Sequence, residues 1–371
     1  MASFRTTMIA LALAVAFAAV ASGQDKIPAE AYRHVNEALV ANHVVPRYQA
    51  LAAATGALET AADSFCAAPE KAKLEGLRAR FHETMDAWMA VQHLRFGPVE
   101  LFMRAQRLYF WPEARGRIED AVRQIVAAAD STALSPDQFR RASVAAQGLP
   151  AIEVLLYGEG GGLLLAPGTG GFRCRLLEAA SANVHSMAAE IVEGWRGGEL
   201  DYAAKVIEPG ETNLYYRTAR EATLDLFKSL HNGLQLIADV KLLQVVGSSK
   251  EAAQPRNAES SLSGRALRNI AINLKALQAL YLGEGGVGLG DLAREQGSDP
   301  ELDPLLRRAF DITIATARSI PGELGAAVVD PERRPSVEKL STQVLALKQI
   351  VKTRLSAVLD LSVGFNALDG D

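Results

Sequence analysis

Apolar residues recur along most of this chain at steps of three and four, and nowhere do they alternate convincingly with polar ones over a strand's length. A step of three or four returns a side chain to one face of an α-helix, whereas a half-buried strand needs a period of two. That pattern restricts the fold to helix packed on helix, an all-α class. Over residues 29–58 the stripe is Tyr32, Val35, Leu39, Val44, Tyr48 and Leu51, and Pro46 predicts a kink or break just before it. Further helices are predicted over 73–96, 104–111 and 117–130, and from Ser135-Pro136 onward to Gly158. In the second half they are predicted over 173–195, 212–246, 264–282, 302–320 and 336–363. Pro and Gly punctuate the joins, as at Gly97-Pro98, Ile320-Pro321-Gly322 and Arg334-Pro335.

Arg5, the apolar run Met8 to Val20, the small residues Ala21, Ser22 and Gly23, and the polar Gln24-Asp25-Lys26 read as a secretory signal over 1–23. The run is short for a membrane span, so the chain is expected to be exported to the periplasm rather than to cross a membrane. A formal charge of −4 without a basic block argues against nucleic acid as a partner. The Gly-rich stretch 161–171 is predicted to link an N-terminal bundle over 24–160 to a C-terminal bundle over 172–371. No Gly-Lys-Ser/Thr follows it, so it is not a phosphate cradle. Leu155-Leu156-Tyr157-Gly158-Glu159-Gly160-Gly161 echoes Leu280-Tyr281-Leu282-Gly283-Glu284-Gly285-Gly286. Duplication of a bundle explains the echo, and so does coincidence, since Leu-rich helices commonly end in Gly. Cys66 and Cys174 are either a disulfide or two separately buried small residues.

The stretch with most chemistry is Gly148-Leu149-Pro150-Ala151-Ile152-Glu153. A helix opens there, because Pro is tolerated in a first turn whose N–H groups have no intrahelical partner. Glu153 falls three residues later on much the same face, as a metal ligand or as a complement to the helix dipole. His82, Met85, Met89 and His93 form a second stripe, suited to copper(I) or to an irregular bundle core. His34 and His43, nine apart, face opposite sides of a continuous helix and are not expected to share a ligand. No His-Glu-x-x-His and no Gly-x-Ser-x-Gly occurs, and no catalytic residue is assigned.

The segment Gly148 to Glu153 resembles the Gly-x-His-x-x-Glu motif of the imelysin family, with Pro150 in the place of the His. The resemblance extends to His93-Leu94-Arg95-Phe96-Gly97-Pro98, Arg107-Leu108-Tyr109-Phe110-Trp111-Pro112 and Arg173-Cys174-Arg175. It continues through Asp239-Val240-Lys241-Leu242, Ala258-Glu259 and Ser263-Gly264-Arg265-Ala266-Leu267-Arg268-Asn269 to the ending Gly364-Phe365-Asn366-Ala367-Leu368-Asp369-Gly370-Asp371. It implies two helical-bundle domains with a site in the cleft between them, in an exported, iron-regulated protein of bacterial iron uptake. On that resemblance the ligand-binding residues are Gly148, Pro150, Glu153, Arg95, Phe96, Arg107, Trp111, Arg265, Arg268 and Asp369. Glu153 is the metal candidate, with Glu259 and Asp369 as further hard oxygen donors, and iron is the one cofactor or cargo implied. The arginine forks suit carboxylate or phosphate, or simply pair with acids of neighbouring helices. Some relatives were classed as metallopeptidases on the His-x-x-Glu element, which Pro150 interrupts here. The expected function is non-catalytic binding of iron or an iron complex. The alternatives are a metal-dependent hydrolase and a module binding an envelope protein or polysaccharide.

Overall fold

The first apolar stripe becomes one long rod: α1 (Ala29–Leu39), a π-helical turn (Val40–Val44) and α2 (Val45–Ala67). The structure is a computed structural model and describes residues 27–113, 116–166 and 169–362. The predicted signal over 1–23 and the candidate Asp369 lie outside the described residues. On α2 the buried residues are Tyr48, Leu51, Thr55, Leu58, Ala62 and Phe65, a three–four repeat that seats one face in a bundle. Pro46 lies within this continuous helical run, where it cannot donate to the preceding turn. The irregularity predicted there takes the form of the π turn just before it, and the rod does not break.

The remaining principal helices are α3 (Lys71–Val91), α4 (Arg117–Ala128), α5 (Leu149–Tyr157), α6 (Thr169–Arg196), α7 (Ala219–Gln235), α8 (Ala266–Leu282), α9 (Leu302–Ser319) and α10 (Arg334–Ile350). No strand occurs among the described residues. α2, α3 and α6 pack together, with α4 and α5 against them, as a first bundle. α1 packs on α7, and α7, α8, α9 and α10 pack on one another as a second. α8, buried on most of its faces, meets α3 along the seam between them. The rod therefore belongs to both bundles, and its π turn lies where it passes from one to the other.

The packing does not break at the linker predicted over 161–171. α6, beyond it, lies along α2, and Cys66 and Cys174 join the two helices as a disulfide with Cα atoms 5.4 Å apart. Helix boundaries also differ from the prediction, most clearly at the end of α3 and the start of α7. α3 stops at Val91, and the segment after it is held by Tyr48, whose hydroxyl donates to Leu94 O at 2.7 Å. Residues 212–218 form a turn because Asn213 competes with helical bonding: its amide donates to Lys205 O and its oxygen accepts from Tyr215 N. α7 starts only at Ala219, behind Thr218, whose hydroxyl caps the helix by accepting from Glu221 N. The short helices Tyr202–Ile207 and Leu289–Gln296 were not in the predicted set, being too brief to show a stripe.

Candidate functional site

Gly148 and Pro150 build the entry to α5. A Cβ on Gly148 would lie 2.4 Å from Leu108 O and 2.5 Å from Arg107 O, so only glycine lets the two backbones meet there. Pro150 is buried in the first turn. Just past that turn Glu153, only 7% exposed, reaches the second bundle's loop ahead of α8. Its Oε1 accepts from Ser263 N at 2.9 Å and from Ser263 Oγ at 2.5 Å. Burial pushes its carboxyl up to about 7, aided by the charge of Glu259 and opposed by the Ser263 bonds and by Arg265.

Two polar networks flank this latch. In the deeper one Lys241 Nζ donates to Glu259 Oε2 (2.7 Å), Asn273 Oδ1 (2.7 Å) and Gln92 Oε1 (2.9 Å), which saturates its three protons. Lys241 and Glu259 are each 1% exposed. Asn269 Nδ2 also donates to Glu259 Oε2, and Lys241 Nζ lies 5.7 Å from the centre of the Trp111 ring. Burial lowers the Lys241 pKa, and Glu259 raises it in opposition.

The shallower network centres on Asp86 of α3, which accepts from Arg265 and, through both oxygens, from Arg268. Arg265 also donates to His82 Nδ1 at 2.8 Å. A guanidinium only donates, so that nitrogen is bare, and Nε2 carries the ring proton and donates to Tyr157 Oη at 3.0 Å. Burial, then the charges of Arg265 and Arg268, lower the His82 pKa. The arrangement binds bundle to bundle through carboxylates, and a soluble anion could compete for its arginines.

The sequence candidates divide accordingly. The structure brings Gly148, Pro150, Glu153, Trp111, Arg265 and Arg268 to the seam. Arg95 instead pairs with Glu100 at the surface, and Phe96 packs edge-on against Trp195 inside the first bundle. Arg107 donates to Gln147 Oε1, also within the first bundle. The copper reading of the second stripe does not hold, because its members do not converge. His82 faces Arg265, Met89 Sδ lies 3.5 Å from the Lys241 ammonium, and His93, past the end of α3, pairs with His43 at 2.9 Å. Lys241, Asp86 and Tyr157 were absent from the candidates. The signal for Lys241 was a lone cation in the apolar run 236–246, which must find a partner if buried.

A family model described as imelysin matches residues 44–351. The chain belongs to the imelysin family. An iron-regulated protein A from Synechococcus elongatus is 24% identical over 320 residues, covering 84% of this chain and 82% of that protein. The solved structure of an imelysin-like protein from Psychrobacter arcticum matches with a TM-score of 0.72 at 20% identity, over 91% of this chain and 98% of the other. A Parabacteroides distasonis protein assigned as the precursor of an iron-regulated protein A matches with a TM-score of 0.74 at 18% identity, over 90% and 97%. These likenesses establish the all-α imelysin fold.

The residues beside Glu153 do not fit a resident metal ion of the kind the family motif suggests. Pro150 has no lone pair to offer, Glu153 Oε1 is engaged by Ser263, and Glu259 Oε2 by Lys241 and Asn269. Among the described residues no three His, Cys, Asp or Glu side chains converge as an ion would require. No helix of the described residues is long and apolar enough to cross a membrane.

Proposed function

We propose that this imelysin-family protein is an exported, periplasmic component of bacterial iron uptake that binds an iron complex at the seam between its bundles, without catalysis. The observation that carries the reading is the head of α5, where a buried carboxylate bridges the bundles and Pro150 replaces the motif's imidazole. One carboxylate engaged by Ser263 is a weak holder of a bare ion. A complex brings its own ligands and asks the protein only for shape and charge, which the arginines at Asp86 can supply. The iron-regulated names of the relatives support the iron connection, and the word precursor for one of them supports export.

Elemental analysis of untagged protein isolated from its native envelope tests this reading. Iron accompanied by an organic chelator, and an N-terminus within residues 21–24, are expected. Stoichiometric zinc with chelator-sensitive peptidase activity that Glu153→Ala removes would overturn it.

A further inference from the structure

Beside the Asp86 cluster a groove of about 510 Å³ opens between α8, α9 and the edge of α3. Its size lies within the range of small-molecule sites, about 300–1,000 Å³. Leu267, Ala271 and Ile320 contribute an apolar lining, and Arg268, Lys275 and Arg318 contribute cations. The single carboxylate in the lining, Asp86, is already held by Arg265 and Arg268. Lys275 and Arg318 are exposed, and no carboxylate among the described residues lies within ion-pair distance of either. Two free cations and a third that is 55% exposed thus face one cavity, in a chain whose formal net charge is −4.

Cations left unpaired around a concave, partly apolar surface favour an anion with an organic body. The cavity walls exclude part of the solvent and strengthen each attraction relative to open water. Arg318 offers a free planar fork and Lys275 a mobile point charge, while Arg268, whose Nε and Nη2 bond Asp86, offers its remaining Nη1 donors. The groove shares Gly264 with the loop on which Ser263 latches Glu153, so an occupant would sit against the seam.

We infer that this groove is a binding site for a small polycarboxylate or polyphosphate anion, held by Arg268, Lys275 and Arg318. The inference rests on the iron-complex reading for its biological ligand, an anionic ferric chelate, and its chemistry can be tested apart from that reading. The probes are ferric citrate, metal-free citrate and inorganic pyrophosphate, titrated calorimetrically into the full mature chain. Lys275→Glu combined with Arg318→Glu should weaken ferric citrate binding at least tenfold, and Lys275→Gln with Arg318→Gln by a smaller factor. Circular dichroism and melting temperature should stay unchanged, since both side chains are exposed.

Ferric citrate bound equally by wild type and the charge-reversed variant would overturn the groove while leaving an iron complex elsewhere at the seam. Metal-free citrate or pyrophosphate bound more tightly than ferric citrate, and lost on charge reversal, would uphold the groove and remove the iron reading. No binding of any probe to wild type at millimolar concentration would overturn the groove.

Discussion

Glu153 is held at a pKa of about 7 because burial penalises its charge more than Ser263 and Arg265 favour it. The folded value lies above the unfolded one, so the native state binds this proton more tightly. The stabilisation that follows is fully present below the ordinary carboxylate value of 4.5 and is lost as pH rises through about 7. Glu153→Gln keeps an acceptor for Ser263 and removes the charge. It should therefore exceed wild type in stability by on the order of 3 kcal/mol at about pH 8 and differ little at about pH 4. Urea denaturation at the two pH values checks this, and identical pH dependence in both proteins would contradict it. The sequence placed an acid three residues after Pro150 at the head of a helix, and that much was legible; the structure sets it just past the first turn. Its partner Ser263, 110 residues away, was not, because a linear motif carries no information on which distant loop meets its face. Arg95 and Phe96 illustrate the same limit: α3 ends at Val91, and the chain beyond it leaves the seam.

The three–four apolar repeat made the long helices readable, but it hides insertions of a single residue. Three π turns, Val40–Val44, Leu236–Leu243 and Val351–Leu355, interrupt the long helices and shift the stripe that follows. The first carries His43, buried against His93 just past α3, and the second Lys241, buried against Met89 of α3 and Gln92 at its end. Lys241→Met should cost roughly 3–5 kcal/mol, because Glu259 is left buried without its counter-charge. Adding Glu259→Gln should recover more than half of that loss. Chemical denaturation of the two single variants and the double variant gives the coupling, and strictly additive losses would show that the pair is not a unit. The Asn213 turn escaped prediction for a related reason: side-chain hydrogen bonds, not periodicity, decide where it lies.

At the scale of the molecule, the sequence conveyed two bundles' worth of helices but not how the chain is shared between them. A Gly-rich stretch looks like a linker in sequence, yet the disulfide and the α2–α6 contact carry the first bundle past it. At the seam Pro150 stands three residues before Glu153, at the position where the resemblance leads one to expect an imidazole. Replacing Pro150 costs about 0.4–1 kcal/mol through the unfolded chain, so Pro150→His should still fold. The decisive measurement is calorimetric titration of wild type and Pro150→His, side by side, with ferrous iron free of chelator. The expected result is weak binding to wild type and at least tenfold tighter binding to Pro150→His, lost again on Glu153→Ala. Equally tight, stoichiometric binding to both would mean that the natural protein already holds the bare ion, and would contradict a seam that receives iron only as a complex.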